Sequence, residues 1–137
     1  MKRLERSFGC VTAVVAVPLA IVVAVVGTGS IVSASHRHSA RKDLDRRARA
    51  FADALGESYA KGRTGEAETS ALARSTGGGR LAMVKVTTRT DGTVVDFEGD
   101  ERYSTPGNGW GNSVVVCYRV TLGPSTSAQV PLVTVTC

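Results

Sequence analysis

Between Arg6 and Arg37 the chain carries no formal charge, and residues 11–32 inside that gap are almost entirely Val, Ala, Ile and Leu. The interruptions are Thr12, Pro18 and the Gly-Thr-Gly-Ser stretch at 27–30. So long an apolar run has few places to go. As a helix rising about 1.5 Å per residue it spans about 33 Å, enough to cross the hydrocarbon core of a bilayer. Lys2, Arg3 and Arg6 precede it, as basic residues precede both cleaved secretory signals and retained anchors. The apolar core of a cleaved signal is about 7–15 residues, and this run is longer. The reading is therefore a transmembrane signal anchor at 11–33 behind a short basic cytoplasmic tail at 1–10. Pro18 removes one helix hydrogen bond, which a membrane helix tolerates. Gly27 with Gly29, and Val32 with Ala34, have the small-residue spacing of a cleavage site and keep a secreted soluble domain open as the alternative.

Charge gives conflicting signals on orientation. Arg37, Arg41, Lys42, Arg46, Arg47 and Arg49 follow the run, against three basic residues before it. A count of basic residues alone puts the carboxyl side in the cytoplasm. Long domains, however, translocate largely regardless of charge, and the distal cysteines fit an oxidising compartment. The expectation is a single pass through the plasma membrane with the carboxyl-terminal domain extracytoplasmic.

The net charge of +5 comes entirely from the flanks of the run: residues 1–62 hold ten Lys/Arg and five Asp/Glu, and residues 63–137 hold seven of each. A neutral domain offers no basic patch for nucleic acid. The basic flanks instead suit a lipid bilayer, whose anionic head groups attract each nearby basic residue by about 1 kcal/mol. Arginine far outnumbers lysine, a bias that fits a GC-rich bacterial genome.

Beyond the anchor three segments follow. At 34–62, Leu44, Ala48, Phe51, Leu55 and Tyr59 recur at helical spacing and form one apolar stripe, with Asp43, Arg46, Arg47, Asp53 and Glu57 largely opposite. This is an amphipathic juxtamembrane helix. Its stripe is either the face that packs on the protein's own sheet or a seam that pairs two copies of the chain; barely two heptads favour the first. Residues 63–80 read as a flexible connector, with a short helix from Glu66 to Arg74 broken by the glycines at 77–79. Those glycines lack the Lys-Ser/Thr ending of a phosphate loop. Residues 81–137 read as strands. Ala82, Val84 and Val86 share one face of the first, Asp91-Gly92 marks a hairpin, and Val95 with Phe97 share a face of the second. A polar loop at 99–112 precedes the most β-prone stretch, where Val114, Val116, Tyr118, Val120 and Leu122 alternate. A last strand at 130–136 carries Pro131 at an edge or at its start. The fold class is α+β: transmembrane helix, amphipathic helix, then a roughly four-stranded antiparallel β-meander.

Cys117 lies within the third strand and Cys137 is the last residue. A hairpin turning near 123–131 faces residues whose numbers sum to about 254, which sets the two cysteines opposite each other. A disulfide there closes a loop of about 20 residues and contributes about 3 kcal/mol in the chain-entropy model. Two free thiols, or a metal site, are the alternatives, and the metal lacks further Cys or His in the sheet. Cys10, before the run, has no partner in this scheme.

Chemistry is sparse. His36 and His38 are two apart and cannot form the i, i+4 pair of a helical metal motif. No histidine lies in 81–137, which excludes a Ser–His or Cys–His nucleophile there. Asp96, Glu98, Asp100 and Glu101 cluster but lack the spacing of a calcium-binding hand, and alternation with Val95 and Phe97 describes a solvated strand face. Trp110, flanked by glycines, is a candidate contact for a partner, or a cover for an open sheet edge. No catalytic, cofactor-binding or metal residues are assigned, no cofactor or small-molecule substrate is implied, and an enzyme is the least expected reading. The expected function is a non-enzymatic envelope interaction or accessory module whose partner is another envelope protein or a second copy. The alternative is a subunit of a pilin-like assembly, in which an apolar helix runs into an amphipathic one packed on a sheet; the early glutamate of that processing motif is missing from the run.

Overall fold

The computed structural model describes residues 5–63, 65–105, 107–124 and 129–137, with the side chains of 5–31, Val84 and 108–110 excepted. The elements are α1 (Glu5–Ala60), α2 (Glu66–Gly77), β1 (Leu81–Arg89), β2 (Gly92–Thr105), β3 (Asn108–Leu122) and β4 (Leu132–Val135). The strands form one antiparallel sheet in the order β1-β2-β3-β4, so the architecture is α+β with a β-meander. Among the described residues no helix is long and apolar enough to cross a membrane. The side chains of the uncharged run, and Cys10 with them, lie outside that description.

The backbone of α1 is unbroken, passing Pro18 and the 27–30 stretch and continuing without a joint into the amphipathic segment. The expected anchor segment at 11–33 and the amphipathic segment that follows it are thus parts of one helix that ends at Ala60. Its stripe is the core: Leu44, Ala48 and Phe51 are fully buried, Leu55 nearly so, and Tyr59 packs at the margin. They meet the inner face of the sheet, where Val95, Phe97, Val116, Tyr118, Val120 and Leu122 are buried. Phe97 is the hinge of this packing, edge-on to Phe51 at 4.8 Å between centroids and stacked on Tyr118 at 5.3 Å. Gly99 lets the helix approach: a Cβ there would lie 2.5 Å from Leu44 Cδ2. The stripe is thus the face that packs on the protein's own sheet.

The short helix expected from Glu66 within the 63–80 connector is present as α2, which runs to Gly77, buries Thr69 and Ala73 and ends on Gly78 in the left-handed region; acidic Glu66 and Glu68 in its first turn suit the helix dipole. Three sequence expectations need correction. In β1 the inward residues are Leu81, Met83 and Val86, while Ala82 is exposed. The register shifts between Met83 and Lys85, a bulge at Val84 that the strict alternation of a flat strand misses. The first hairpin pairs Arg89 with Gly92, so its two-residue loop is Thr90-Asp91 and Gly92 (φ 153°) opens β2 beneath the Leu122 carbonyl. The polar stretch 99–112 is a long hairpin, with β2 running to Thr105 and Thr105 pairing with Asn108. Polar residues there form strand because both ladder partners are present; composition alone reads them as loop.

Candidate functional site

Among the described residues no three His, Cys, Asp or Glu side chains gather to hold a metal. The surfaces left by the packing are the outer face of the sheet and the amino-terminal margin of the helix–sheet layer.

The outer face carries the disulfide. Cys117 and Cys137 are bonded, with Cα atoms 5.3 Å apart. The register differs from the one read in the sequence: Cys117 faces Val135, not Cys137, so the bond reaches diagonally past the end of β4 and ties the chain's last residue to a central strand. β4 is only Leu132–Val135 and Pro131 immediately precedes it, as befits a residue that cannot donate to a ladder. Beside the disulfide, Val115 and Val133 are 49% and 52% exposed. On the neighbouring row Arg119 makes a two-pronged ion pair with Asp96, at 2.6 and 3.0 Å. That contact holds the Asp96 carboxyl below its ordinary range, against a smaller opposing effect of burial. Asp96 and Arg119 also border a shallow trough of about 430 Å³ with Lys85, Arg89 and Asp91.

Among the described residues the acidic cluster does not gather into a metal-holding group, although Asp100 Oδ1 and Glu101 Oε2 are buried without a hydrogen-bond partner. Asp96 is committed to Arg119. Glu101 faces Arg80 at 3.8 Å, an ion pair beyond hydrogen-bond reach. Glu98 lies opposite Ala82 and Cys117 in the ladder.

Helix and sheet are joined by polar clamps that helical periodicity does not reveal. The Tyr118 hydroxyl, at the end of a buried ring, donates to Asp45 Oδ1 at 2.7 Å, and Arg41 Nε reaches the same oxygen at 3.4 Å. Burial first, then the hydrogen bond and charge of Asp45, push the Tyr118 pKa well above its usual value, with Arg41 opposing weakly. Arg47 donates to the Gly77 carbonyl that ends α2, at 3.3 Å, and Arg49 to the Val130 carbonyl at 2.9 Å. Arg46 pairs with Asp43 at 3.2 Å. Four of the six basic residues that follow the apolar run are therefore bonded within the domain.

The remaining two are Arg37 and Lys42. Arg37 lines a cleft of about 450 Å³ with Ser33, Ala34, His38, Arg41 and Tyr103, at the end of the domain nearest the uncharged run. His36 and His38 are both exposed there. The backbone of Trp110 belongs to β3 near the same end, two residues before Asn112, which pairs with Tyr103; its side chain lies outside the described residues. Tyr103 is the contributor to this cleft that the sequence left unremarked, and no local pattern distinguishes it from other strand tyrosines.

The chain matches no family model, no curated protein and no solved structure.

Proposed function

We propose that the chain is a single-pass bacterial membrane protein that holds a small disulfide-tied α+β domain against the outer side of the plasma membrane, as a non-enzymatic interaction or accessory module of the envelope. The supporting observation is continuity. One helix carries both the uncharged run and the stripe on which the sheet is built, so the domain has no linker on which to swing away from the bilayer. The disulfide between Cys117 and Cys137 favours the extracytoplasmic side, since cytosolic thiols are kept reduced. In the basic shoulder that favours the opposite orientation, Arg47 and Arg49 bond to the Gly77 and Val130 carbonyls and Arg41 and Arg46 pair with carboxylates on the same helix, which gives those arginines a reason to be there besides topology.

Two measurements test the reading. A membrane-impermeant thiol reagent applied to intact cells should label Cys117 and Cys137 only after reductant is added. Labelling without reductant, or labelling only after lysis, refutes the disulfide or the orientation. The intact mass of the membrane-fraction protein should include the apolar run; a mass that begins after Gly29 or Ala34 identifies the secreted form. The pilin-like reading is favoured by the same unbroken helix, and predicts ordered multimers on crosslinking through α1.

A further inference from the structure

The position of the β2–β3 hairpin relative to the apolar run carries a second conclusion, which rests on the anchor reading above. Leu44 of α1 packs over Gly99 of β2, and Ser33 and Ala34 share a cleft with Tyr103. Going backward along α1 is thus going forward along β2. From Leu44 to Ser33 the helix advances about 16 Å at its usual rise. From Gly99 to Tyr103 the strand advances about 13 Å, so the two elements keep pace. β2 continues to Thr105 and β3 begins at Asn108. The backbone of Trp110, two residues before the partner of Tyr103, therefore lies about 7 Å further toward the amino-terminal half of α1. That is the level of residues 29–30, the last turn of the uncharged run.

We infer that this end of the domain is a lipid-facing surface: the cleft of Arg37, His38, Arg41 and Tyr103 takes the phosphate of an anionic phospholipid head group, and Trp110 sits at the membrane–water interface. The cleft offers two guanidinium groups and a phenol, the donor chemistry of a phosphate oxygen acceptor. Arg41 is already directed by Asp45, while among the described residues no carboxylate pairs with Arg37. Tyrosine and tryptophan are the side chains favoured at the interface, where the ring is apolar and its edge is polar. The occupant is a lipid and not a free anion, because the anchor fixes the cleft at head-group height, where anionic lipid is concentrated. Docking this end on the bilayer leaves the outer sheet face, with the disulfide, Val115 and Val133, as the surface turned to other envelope components.

The chain has a single tryptophan, so its fluorescence reports this hairpin alone. The full chain is reconstituted in phosphatidylcholine vesicles containing either brominated phosphatidylcholine or brominated phosphatidylglycerol. The expected result is blue-shifted Trp110 emission, quenching by both lipids, and a preference for phosphatidylglycerol that falls about fivefold for each arginine removed in Arg37→Gln and Arg41→Gln. Arg37→Gln alone leaves the Asp45 contact in place and guards against misfolding of the double variant. Protein that resists alkaline extraction but has water-exposed, unquenched Trp110 overturns this inference and leaves the anchor standing. Equal quenching by the two lipids, unchanged in Arg37→Gln, overturns the head-group cleft. Displacement of the phosphatidylglycerol preference by added inorganic phosphate overturns the lipid in favour of a small-anion site. Full alkaline extraction of the chain from the vesicles overturns both readings.

Discussion

Replacing Tyr118 with Phe isolates the clamp between α1 and the sheet. The ring keeps its place against Phe97, 5.3 Å away and nearly parallel, so packing is conserved and only the hydroxyl is lost. That hydroxyl donates to a carboxylate at 2.7 Å, and bonds to charged groups contribute about 1.5–3 kcal/mol. Asp45 is half exposed, however, and water replaces the lost donor, which brings the expected cost down to about 1 kcal/mol at neutral pH. The pH dependence is the sharper readout. The pKa of Tyr118 is raised in the folded state, so between the unfolded value near 10 and the folded value the native chain binds more protons than the unfolded one. Stability then falls as pH rises above about 10, with a slope from this group of up to about 1.4 kcal/mol per unit. Tyr118→Phe has no such group, so the gap between the two proteins should narrow and then reverse as pH climbs. Urea unfolding of the full chain in detergent micelles, followed by circular dichroism from pH 7 to about 11, measures both effects. If the variant equals the wild type at neutral pH and both lose stability in parallel above pH 10, Tyr118 is not the clamp described here.

Three further outcomes follow from the same packing. Cys117→Ser, or reduction of the wild type, should cost about 3 kcal/mol for a bond closing a 20-residue separation, read as a lower urea midpoint; no change would mean the tail contributes nothing to the unfolded state's freedom. Phe97→Ala removes the ring held between Phe51 and Tyr118 and should cost about 3–5 kcal/mol, enough to leave the domain largely unfolded at 37 °C by circular dichroism. Gly99→Ala places a methyl 2.5 Å from Leu44 Cδ2 and 2.9 Å from its Cγ; it should cost about 1–3 kcal/mol through overpacking, and pairing it with Leu44→Ala should recover part of that loss.

What was legible in the sequence was whatever depended on one element at a time. The spacing of Leu44, Ala48, Phe51 and Leu55 marks a buried helical face whatever it packs on, and the alternation from Val114 to Leu122 marks the inner face of β3 directly. What failed depended on pairing. The bulge at Val84 moved Leu81 and Met83 inward in place of Ala82 because the ladder with β2 slips there, and nothing in nine residues of β1 records that slip. The two-residue displacement of the Cys117 register is a matter of pairing, with Leu132 opposite Val120 in place of Leu122, which neither strand records on its own. The 99–112 stretch looked like a loop because Gly, Asn and Ser are poor strand formers, yet each strand of a hairpin lends the other its hydrogen bonds. The polar clamps were hidden for a related reason. Asp45, Arg47 and Arg49 lie off the apolar stripe, and only the folded sheet and α2 bring their partners Tyr118, Gly77 and Val130 within reach.

The position of the core along α1 separates two questions that the sequence runs together. The first buried residue of α1 among those described is Ala40, so cleavage after Gly29 or after Ala34 leaves in place every buried core residue among the described ones. The cleft beside Tyr103 does discriminate. Cleavage after Gly29 preserves all of its lining, whereas cleavage after Ala34 removes Ser33 and Ala34 from it. In either secreted form the exposed Arg37 and His38 would have no bilayer at their level. On the lipid-facing reading proposed above, the cleft of Arg37, Arg41 and Tyr103 has its occupant only if the run stays in the membrane. A mature mass that includes residues 11–32, in protein whose Trp110 is lipid-quenched, would tie the two observations to one cause. A mass that lacks them would leave that end of the domain without the partner its chemistry fits.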